Sequence, residues 1–137
     1  MKKQIKFKFL SHTGDIKFQA YGKTKPILFQ NCALAVAYHF AKGGRIKPKI
    51  KKKISIKGED DESLLYNFLE KIIYLLDAED FVTAKAKVKI ENKNLDAILY
   101  GDKTKNYEVD PIKSPTYHDM YIKKTKVGWR AQLVLDV

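Results

Sequence analysis

Apolar and polar residues alternate along two short segments near the start of the chain, residues 5–9 and 16–22. A period of two puts every second side chain on one face, so each segment is predicted to form a half-buried strand. Few residues separate the two segments, and we expect the strands to pair across this short loop.

The period changes to that of a helix after Gly22. Apolar residues now recur every three or four positions, at Phe29, Ala33, Val36 and Phe40. Pro26 suits the first helical turn, which needs no backbone donor, and Gly43-Gly44 suits the end of the helix. Cys32 lies within this pattern and is predicted to belong to the core.

Residues 45–58 return to a period of two. Isoleucines occupy one face, at Ile46, Ile50, Ile54 and Ile56, and lysines occupy the other, at Lys47, Lys49, Lys51, Lys53 and Lys57. Because Pro48 cannot donate a hydrogen bond to a neighbouring strand, this strand is expected to begin after Pro48 or to lie at the edge of a sheet.

A second helix is predicted where acidic residues 59–62 precede an apolar stripe between residues 64 and 76. Carboxylates near the N-terminus of a helix stabilise it because they oppose the helix dipole. Asp77, Glu79 and Asp80 carry the same charge at the other end, where it is unfavourable. We therefore expect them either to lie beyond the last helical turn or to have a cationic neighbour.

The rest of the chain is predicted to form four strands, at residues 84–90, 95–100, 116–122 and 129–137. Turns are expected near residues 92–94 and at Gly128. The order strand, strand, helix, strand, helix and four strands indicates an α+β fold in which two helices pack on a mostly antiparallel, or mixed, β-sheet. No tandem repeat or long linker divides the chain, so residues 1–137 are predicted to be one domain.

The composition agrees with one compact domain. The chain has 137 residues, of which 45% are hydrophobic, and its single cysteine excludes an internal disulfide and favours a reducing compartment. The longest apolar run is shorter than a membrane-spanning helix, and the N-terminus lacks the apolar block of a signal peptide. We therefore expect a soluble, cytoplasmic protein that does not contact a membrane.

The formal charge of +11 favours contact with nucleic acid, an acidic protein or anionic lipid. Nearly all of this charge comes from lysine, because only Arg45 and Arg130 are arginines, the residue type that contacts bases and phosphates through paired hydrogen bonds. A lysine-rich solvated surface is therefore the simpler explanation. An autonomous RNA-binding module that uses the lysine faces of residues 47–57 and 85–89 is the alternative, although those stripes lack interleaved aromatic residues for base stacking.

Motifs of the common enzyme classes are absent, with no Walker loop and no GxGxxG, CxxC, HExxH or GxSxG sequence. One cysteine and three scattered histidines, His12, His39 and His118, do not match the ligand spacing of ordinary zinc sites. Carboxylates remain as candidates for chemistry. A metal-dependent hydrolase built on them has little support, because no general base with a clear partner accompanies them.

Six blocks of the sequence follow the order of one known family. They are His12-Thr13-Gly14-Asp15-Ile16, residues 20–35, residues 64–69, Tyr100-Gly101-Asp102, Lys113 with Thr116-Tyr117-His118, and Asp136-Val137. These blocks span essentially the whole chain, and together they resemble the archease family, accessory proteins of the RNA-splicing ligase RtcB. Three positions depart from the family pattern. Gly14 stands where alanine is usual, Lys17 stands where many members have a small residue, and Pro115 interrupts the usual Lys-x-x-Thr-Tyr-His stretch.

The resemblance implies a divalent metal site made by Asp15, Asp136 and Val137, the last through its terminal carboxylate. If the two strand ends meet at one edge of the sheet, two like charges come together, which is unfavourable unless a cation lies between them or they share a proton. Calcium is expected from the resemblance, with magnesium or manganese as alternatives, because hard cations prefer oxygen ligands. From spacing alone, two aspartates exposed to water explain the same residues.

The resemblance also implies a function with no catalytic residue in this chain. A member of this family is expected to dock on RtcB, with tRNA in indirect contact, and to promote guanylylation and multiple turnover of that ligase in tRNA splicing and RNA repair. His12, Lys113, Thr116 and His118 are expected to support docking or the metal site. From the residues alone, His12 is equally explained as a loop-capping side chain, and His118 is more often a packed or hydrogen-bonded histidine than a ligand. The oligomeric state is left open.

Overall fold

The computed structural model describes residues 5–137, which form seven strands and two α-helices. The strands are β1 (Phe7–Leu10), β2 (Ile16–Gly22), β3 (Ile50–Lys57), β4 (Phe81–Glu91), β5 (Asn94–Lys103), β6 (Ser114–Thr125) and β7 (Gly128–Asp136). The helices are α1 (Lys25–Phe40), between β2 and β3, and α2 (Asp61–Ala78), between β3 and β4. Residues 1–4, part of the N-terminus in which no signal peptide is expected, lie outside the described residues.

The strands form two sheets, and every strand pairing within residues 5–137 is antiparallel. One sheet has the order β1-β2-β7-β6 and the other has the order β3-β5-β4. Helix α1 packs against β2 and β4, and α2 packs against β4 and β6, so each helix contacts both sheets. The predicted α+β fold, its order of elements and the pairing of β1 with β2 are confirmed. The sequence did not predict two separate sheets, because a strand with alternating polar and apolar residues has the same pattern in either sheet.

Side-chain caps determine where the two helices begin. Thr24 accepts a hydrogen bond from the backbone N–H of Ile27 at 3.3 Å, and Pro26 occupies the first turn as predicted. Asp60 accepts one from the N–H of Ser63 at 2.8 Å, and the Ser63 hydroxyl accepts one from the N–H of Asp60 at 3.0 Å. These caps satisfy backbone donors that have no partner within the helix.

Glycine is required where β2 and β3 each turn into the following helix. A Cβ on Gly22 would lie 2.4 Å from the backbone nitrogen of Leu28, and a Cβ on Gly58 would lie 2.5 Å from the backbone nitrogen of Leu64. Both contacts are with backbone atoms, which cannot rotate away as a side chain can. The same close approach of strand and helix therefore recurs at both junctions.

A lysine from β3 lies beside the acidic end of α2. Asp77 is within the helix and Glu79 is its C-cap, where the carboxylate contacts the ammonium group of Lys52. The hydrogen bond from Lys52 lowers the pKa of Glu79. Of the two expected explanations, the cationic neighbour is confirmed for Glu79, and Asp80 lies beyond the last helical turn. Strand β3 begins after Pro48 and lies at a sheet edge, as predicted.

The buried residues of both sheets and both helices form one hydrophobic cluster. Its largest fully buried side chains include Phe18, Phe29, Phe40, Phe68 and Leu99. Cys32 is fully buried within the cluster, as predicted, and burial raises the pKa of its thiol. Within residues 5–137, neither helix is long and apolar enough to cross a membrane.

Asp102 is a buried carboxylate that ties β5 to the segment after it. The residue is 4% exposed and accepts hydrogen bonds from the Tyr107 hydroxyl at 2.7 Å, the Lys103 N–H at 2.8 Å and the Asn106 amide at 3.3 Å. The Tyr107 hydroxyl in turn accepts a hydrogen bond from the Lys47 N–H at 2.9 Å. These hydrogen bonds, above all the one from Tyr107, hold the pKa of Asp102 below its usual value.

We expect Gly58→Ala to lower the free energy of unfolding by about 1–3 kcal/mol, because the added Cβ would push α2 away from β3. Urea unfolding followed by circular dichroism measures this loss. Gly44→Ala is the matched control, because its Cβ would meet one atom, the Ala41 carbonyl oxygen, at 3.0 Å. The control should lose less stability, and equal losses would contradict the explanation.

The lowered pKa of Asp102 predicts a loss of stability in acid. The ionised carboxylate stabilises the fold above its unfolded-state pKa of about 4, and this contribution is lost as the pH falls through the lower pKa of the folded state. Asp102→Asn should therefore be less stable than the unchanged protein at neutral pH, and the difference should shrink in strong acid. Thermal unfolding across a pH series tests this, with the exposed Asp96 of the same strand, changed to Asn, as the control. A pH-independent difference would argue against this role of the charge.

Candidate functional site

The residues that the sequence singled out lie at one end of the four-stranded sheet. His12 lies in the loop between β1 and β2, and Asp15 directly precedes β2. Asp136 is the last residue of β7 and Val137 follows it, while Lys113 directly precedes β6. Because neighbouring strands are antiparallel, the start of β2, the end of β7 and the start of β6 meet at the same end of the sheet.

The register of β2 and β7 places Asp15 beside Asp136. Ile16 pairs with Leu135, so Asp15 and Asp136 occupy the next positions along the two strands. Leu135 is buried in the core, and the alternation of side chains along β7 puts Asp136 on the opposite face, whereas Asp15 lies in the bend that precedes β2. Both aspartates are half-buried. The two strand ends therefore meet at one end of the sheet, while metal binding itself stays a prediction.

The start of β6 completes this end of the sheet. The Lys113 N–H donates a hydrogen bond to the Asp136 carbonyl oxygen at 2.8 Å, and Ser114 pairs with Asp136. Pro115 is buried opposite Leu135 in an edge strand, where its missing N–H is tolerated. Lys113 is exposed, so its ammonium group is accessible to a partner.

A bulge in β6 lies next to this end. The register with β7 holds up to Thr116 and is broken at residues 117–120. The Thr116 hydroxyl accepts a hydrogen bond from the His118 N–H at 3.3 Å, and Asp119 has a positive φ of 55°. Bulges redirect side chains. Here the ring centroids of His118 and His12 are 6.4 Å apart, so two of the three scattered histidines are brought together.

Asp119 is a candidate that the sequence pattern did not reveal. Its Oδ2 atom lies 3.4 Å from Nε2 of His118 and 3.5 Å from Nζ of Lys17. Its carbonyl oxygen accepts a hydrogen bond from Nε2 of Gln132 at 2.9 Å, which anchors the bulge to β7. The one available signal was its position directly after His118, because the bulge itself depends on how β6 pairs with β7.

The third histidine, His39, belongs to α1 and lines a groove together with His12 and Asp15. Its Nε2 atom lies 3.5 Å from Oδ2 of Asp110. His39 is half-buried. It is therefore near the candidate site but pairs with a different carboxylate from the one beside His118.

The sequence matches the model of one protein family over most of its length. The model of the Archease protein family (MTH1598/TM1083) matches residues 7–137. This chain belongs to the archease family. Protein archease of Pyrococcus furiosus is 42% identical over 134 residues, which cover 92% of this chain and 94% of that protein. Protein archease of Methanosarcina barkeri is 35% identical over 140 residues, which cover 96% and 95% of the two chains.

Solved structures have the same fold. Protein 1598 of Methanobacterium thermoautotrophicum, whose solution structure is known, is 30% identical in sequence to this archease family member. The structural match covers 96% of this chain and 99% of that protein's chain, and its TM-score is 0.83. The crystal structure of an archease of Thermotoga maritima, described as a possible chaperone, is 19% identical, covers 100% and 98% of the two chains and gives a TM-score of 0.69. At 19% identity, this second structure supports the fold alone.

The second sheet carries the predicted lysine stripes on one exposed face. Lys51 of β3 and Lys85 of β4 both pair with Tyr100 of the central strand β5. Their ammonium nitrogens lie 5.8 and 5.5 Å from the centroid of the Tyr100 ring. Each stripe lacks an aromatic residue of its own, but strand pairing places Tyr100 between them. The sequence could not show this position of Tyr100, because it depends on how β3 and β4 pair with β5.

Proposed function

We propose that this archease family member is a metal-binding activator of the RNA-splicing ligase RtcB that promotes guanylylation and multiple turnover of the ligase in tRNA splicing and RNA repair. It acts in trans and contributes no catalytic residue of its own. Family membership supports this expectation. Within the chain, one observation carries it, namely the pairing of Ile16 with Leu135 that brings Asp15 and Asp136 to the same end of the sheet.

In this proposal, Asp15, Asp136 and a backbone oxygen of Val137 hold a divalent cation. Two half-buried carboxylates at adjacent strand ends repel each other, and a cation between them relieves that repulsion. All of these donors are oxygens, which favours calcium, with magnesium or manganese as alternatives. The bound cation supplies positive charge for the phosphate oxygens of a nucleotide on the ligase.

The same end of the sheet is proposed to contact the ligase. Lys113 is exposed beside Asp136, and its ammonium group can attract phosphate as a point charge. Thr116 and His118 follow it on β6, and His12 approaches from the loop between β1 and β2. A single contact surface can therefore present the metal site and these side chains to the nucleotide site of RtcB together.

Ligation of a cleaved tRNA by limiting RtcB tests this proposal. The unchanged protein is expected to raise the number of ligation products formed per ligase molecule. Asp15→Asn and Asp136→Asn should each lose most of this stimulation, because each removes one charge from the metal site. Asp96→Asn is the matched control and should stimulate normally, because Asp96 is an exposed carboxylate on the other sheet.

No increase in turnover with the unchanged protein, or full stimulation by both metal-site variants, would show that the proposal is wrong. Calcium binding measured by calorimetry separates the two parts of the proposal. Lys113→Ala is expected to bind calcium and yet stimulate weakly, because its side chain is assigned to docking. A variant that loses calcium binding but stimulates fully would rule out the metal as the active group.

The lysine face around Tyr100 supports a second candidate function, the binding of single-stranded RNA without a ligase. Exposed lysines flank the central strand on both sides, at Lys51, Lys53, Lys85, Lys87 and Lys89. Tyr100 supplies the aromatic ring for base stacking that each lysine stripe lacks. Such a surface would bind RNA through phosphate contacts and therefore depend strongly on salt.

Filter binding of single-stranded RNA over a range of salt concentrations tests this second function. Lys51→Ala combined with Lys85→Ala should reduce the slope of log affinity against log salt by about 1.4, because each phosphate contact contributes about 0.7. Tyr100→Ala should weaken binding by about 1–3 kcal/mol. Lys42→Ala combined with Lys105→Ala removes the same charge from other exposed positions. Equal effects of the two lysine pairs would mean that the face around Tyr100 is not a binding site.

A further inference from the structure

We propose that His12, His118 and Asp119 form a further metal site, which binds a borderline divalent transition metal such as Zn²⁺. Each of the three residues offers a ligand atom, and these atoms lie within 4.8 Å of one another. Within residues 5–137, this is the one such group of three, and neither Asp15 nor Asp136 belongs to it. The site does not depend on the activation of RtcB.

The bulge in β6 produces this arrangement. In a regular strand, His118 and Asp119 would point to opposite faces, because side chains alternate. The positive φ of 55° at Asp119 and the broken register at residues 117–120 bring the two side chains together. Nε2 of His118 and Oδ2 of Asp119 are 3.4 Å apart. Two ligands on a tetrahedral zinc ion are separated by roughly 3.3 Å when the bonds are about 2.0 Å long.

His12 reaches the cluster from the loop between β1 and β2. Its Nδ1 atom is buried and has no hydrogen-bond partner among the described residues. A buried ring nitrogen without a partner is unfavourable, and a bound ion or water would supply one. Because β1 and β6 are the two edges of the four-stranded sheet, an ion held by His12 and Asp119 would link a loop of one edge to the bulge of the other.

His12, His118 and Asp119 favour a different class of metal ion from the one that the oxygen ligands of Asp15 and Asp136 favour. Imidazole suits zinc and other first-row transition metals, whereas calcium takes oxygen ligands. Two imidazoles and one carboxylate are also the ligand set of some catalytic zinc sites, which keep a fourth position for water or another ligand. The exposed position of His118 and Asp119 leaves room for such a ligand here.

A metal ion bound in this site would displace the ammonium group of Lys17 from the carboxylate of Asp119. The Nζ atom of Lys17 lies 3.5 Å from Oδ2 of Asp119, the same oxygen that faces His118. An ion bound to this carboxylate would be repelled by the lysine, because two positive charges would then share one partner. Lys17 therefore weakens the site, and Lys17→Ala is expected to bind Zn²⁺ more tightly than the unchanged protein.

Titration of the full chain with Zn²⁺ and Co²⁺, after metal removal and without a histidine tag, tests this proposal. Calorimetry should show one equivalent of bound Zn²⁺, and Co²⁺ should give visible absorption bands that excess Ca²⁺ does not remove. His118→Gln and Asp119→Asn should each weaken Zn²⁺ binding by about 10- to 100-fold or more. Asparagine is the replacement for Asp119 because it removes the charge and tolerates a positive φ.

His39→Gln is the matched control, because Nε2 of His39 also lies near a carboxylate, 3.5 Å from Oδ2 of Asp110. This variant should bind Zn²⁺ as the unchanged protein does. Absence of binding by the unchanged protein, or equal losses in His39→Gln and His118→Gln, would overturn the proposal. The gain expected for Lys17→Ala cannot arise from misfolding, so the test remains decisive if a ligand variant unfolds. Neither result bears on the stimulation of RtcB, which is measured separately.

Discussion

The antiparallel pairing of β2 with β7 is the interaction on which the rest of the structure depends. It places strands from near the two ends of the chain side by side in the middle of the four-stranded sheet. This pairing closes a loop that contains most of the chain, and closing so long a loop is entropically unfavourable. Burial of apolar side chains on the inner face, including Phe18 and Leu133, which pair directly, provides the opposing stabilisation. Strands β1 and β6 then join this central pair at its two edges.

The same pairing builds the candidate site. On the outer face of the sheet, Nε2 of Gln19 donates a hydrogen bond to Oε1 of Gln132 at 2.9 Å, and Gln132 in turn holds the carbonyl oxygen of Asp119. The pairing of β2 with β7 therefore positions Asp136 and the bend that carries Asp15, whereas a bulge anchored to those strands positions His118. The four-stranded sheet and the bulge in β6 together bring side chains from three separate parts of the chain to one end of the sheet.

Charge is divided between the two sheets. Two lysine stripes line the outer face of the β3-β5-β4 sheet, where Lys51 and Lys85 flank Tyr100. The carboxylates and the paired histidines lie at one end of the other sheet. Electrostatic attraction of an anionic partner and coordination of a cation can therefore be served by different surfaces, and substitutions on one sheet can test them independently.

The sequence by itself determined the elements and their order, because helical and strand periods are local properties. Pro26 and Gly43 marked the ends of α1, and Pro48 marked the start of an edge strand. Resemblance to the archease family identified Asp15 and Asp136 as candidates. Only the tertiary structure decided that there are two sheets, that these aspartates are neighbours, that Tyr100 lies between the lysine stripes, and that Asp119 joins His12 and His118. Each of these facts depends on pairing between residues far apart in the chain, and such pairing leaves no trace in local periodicity.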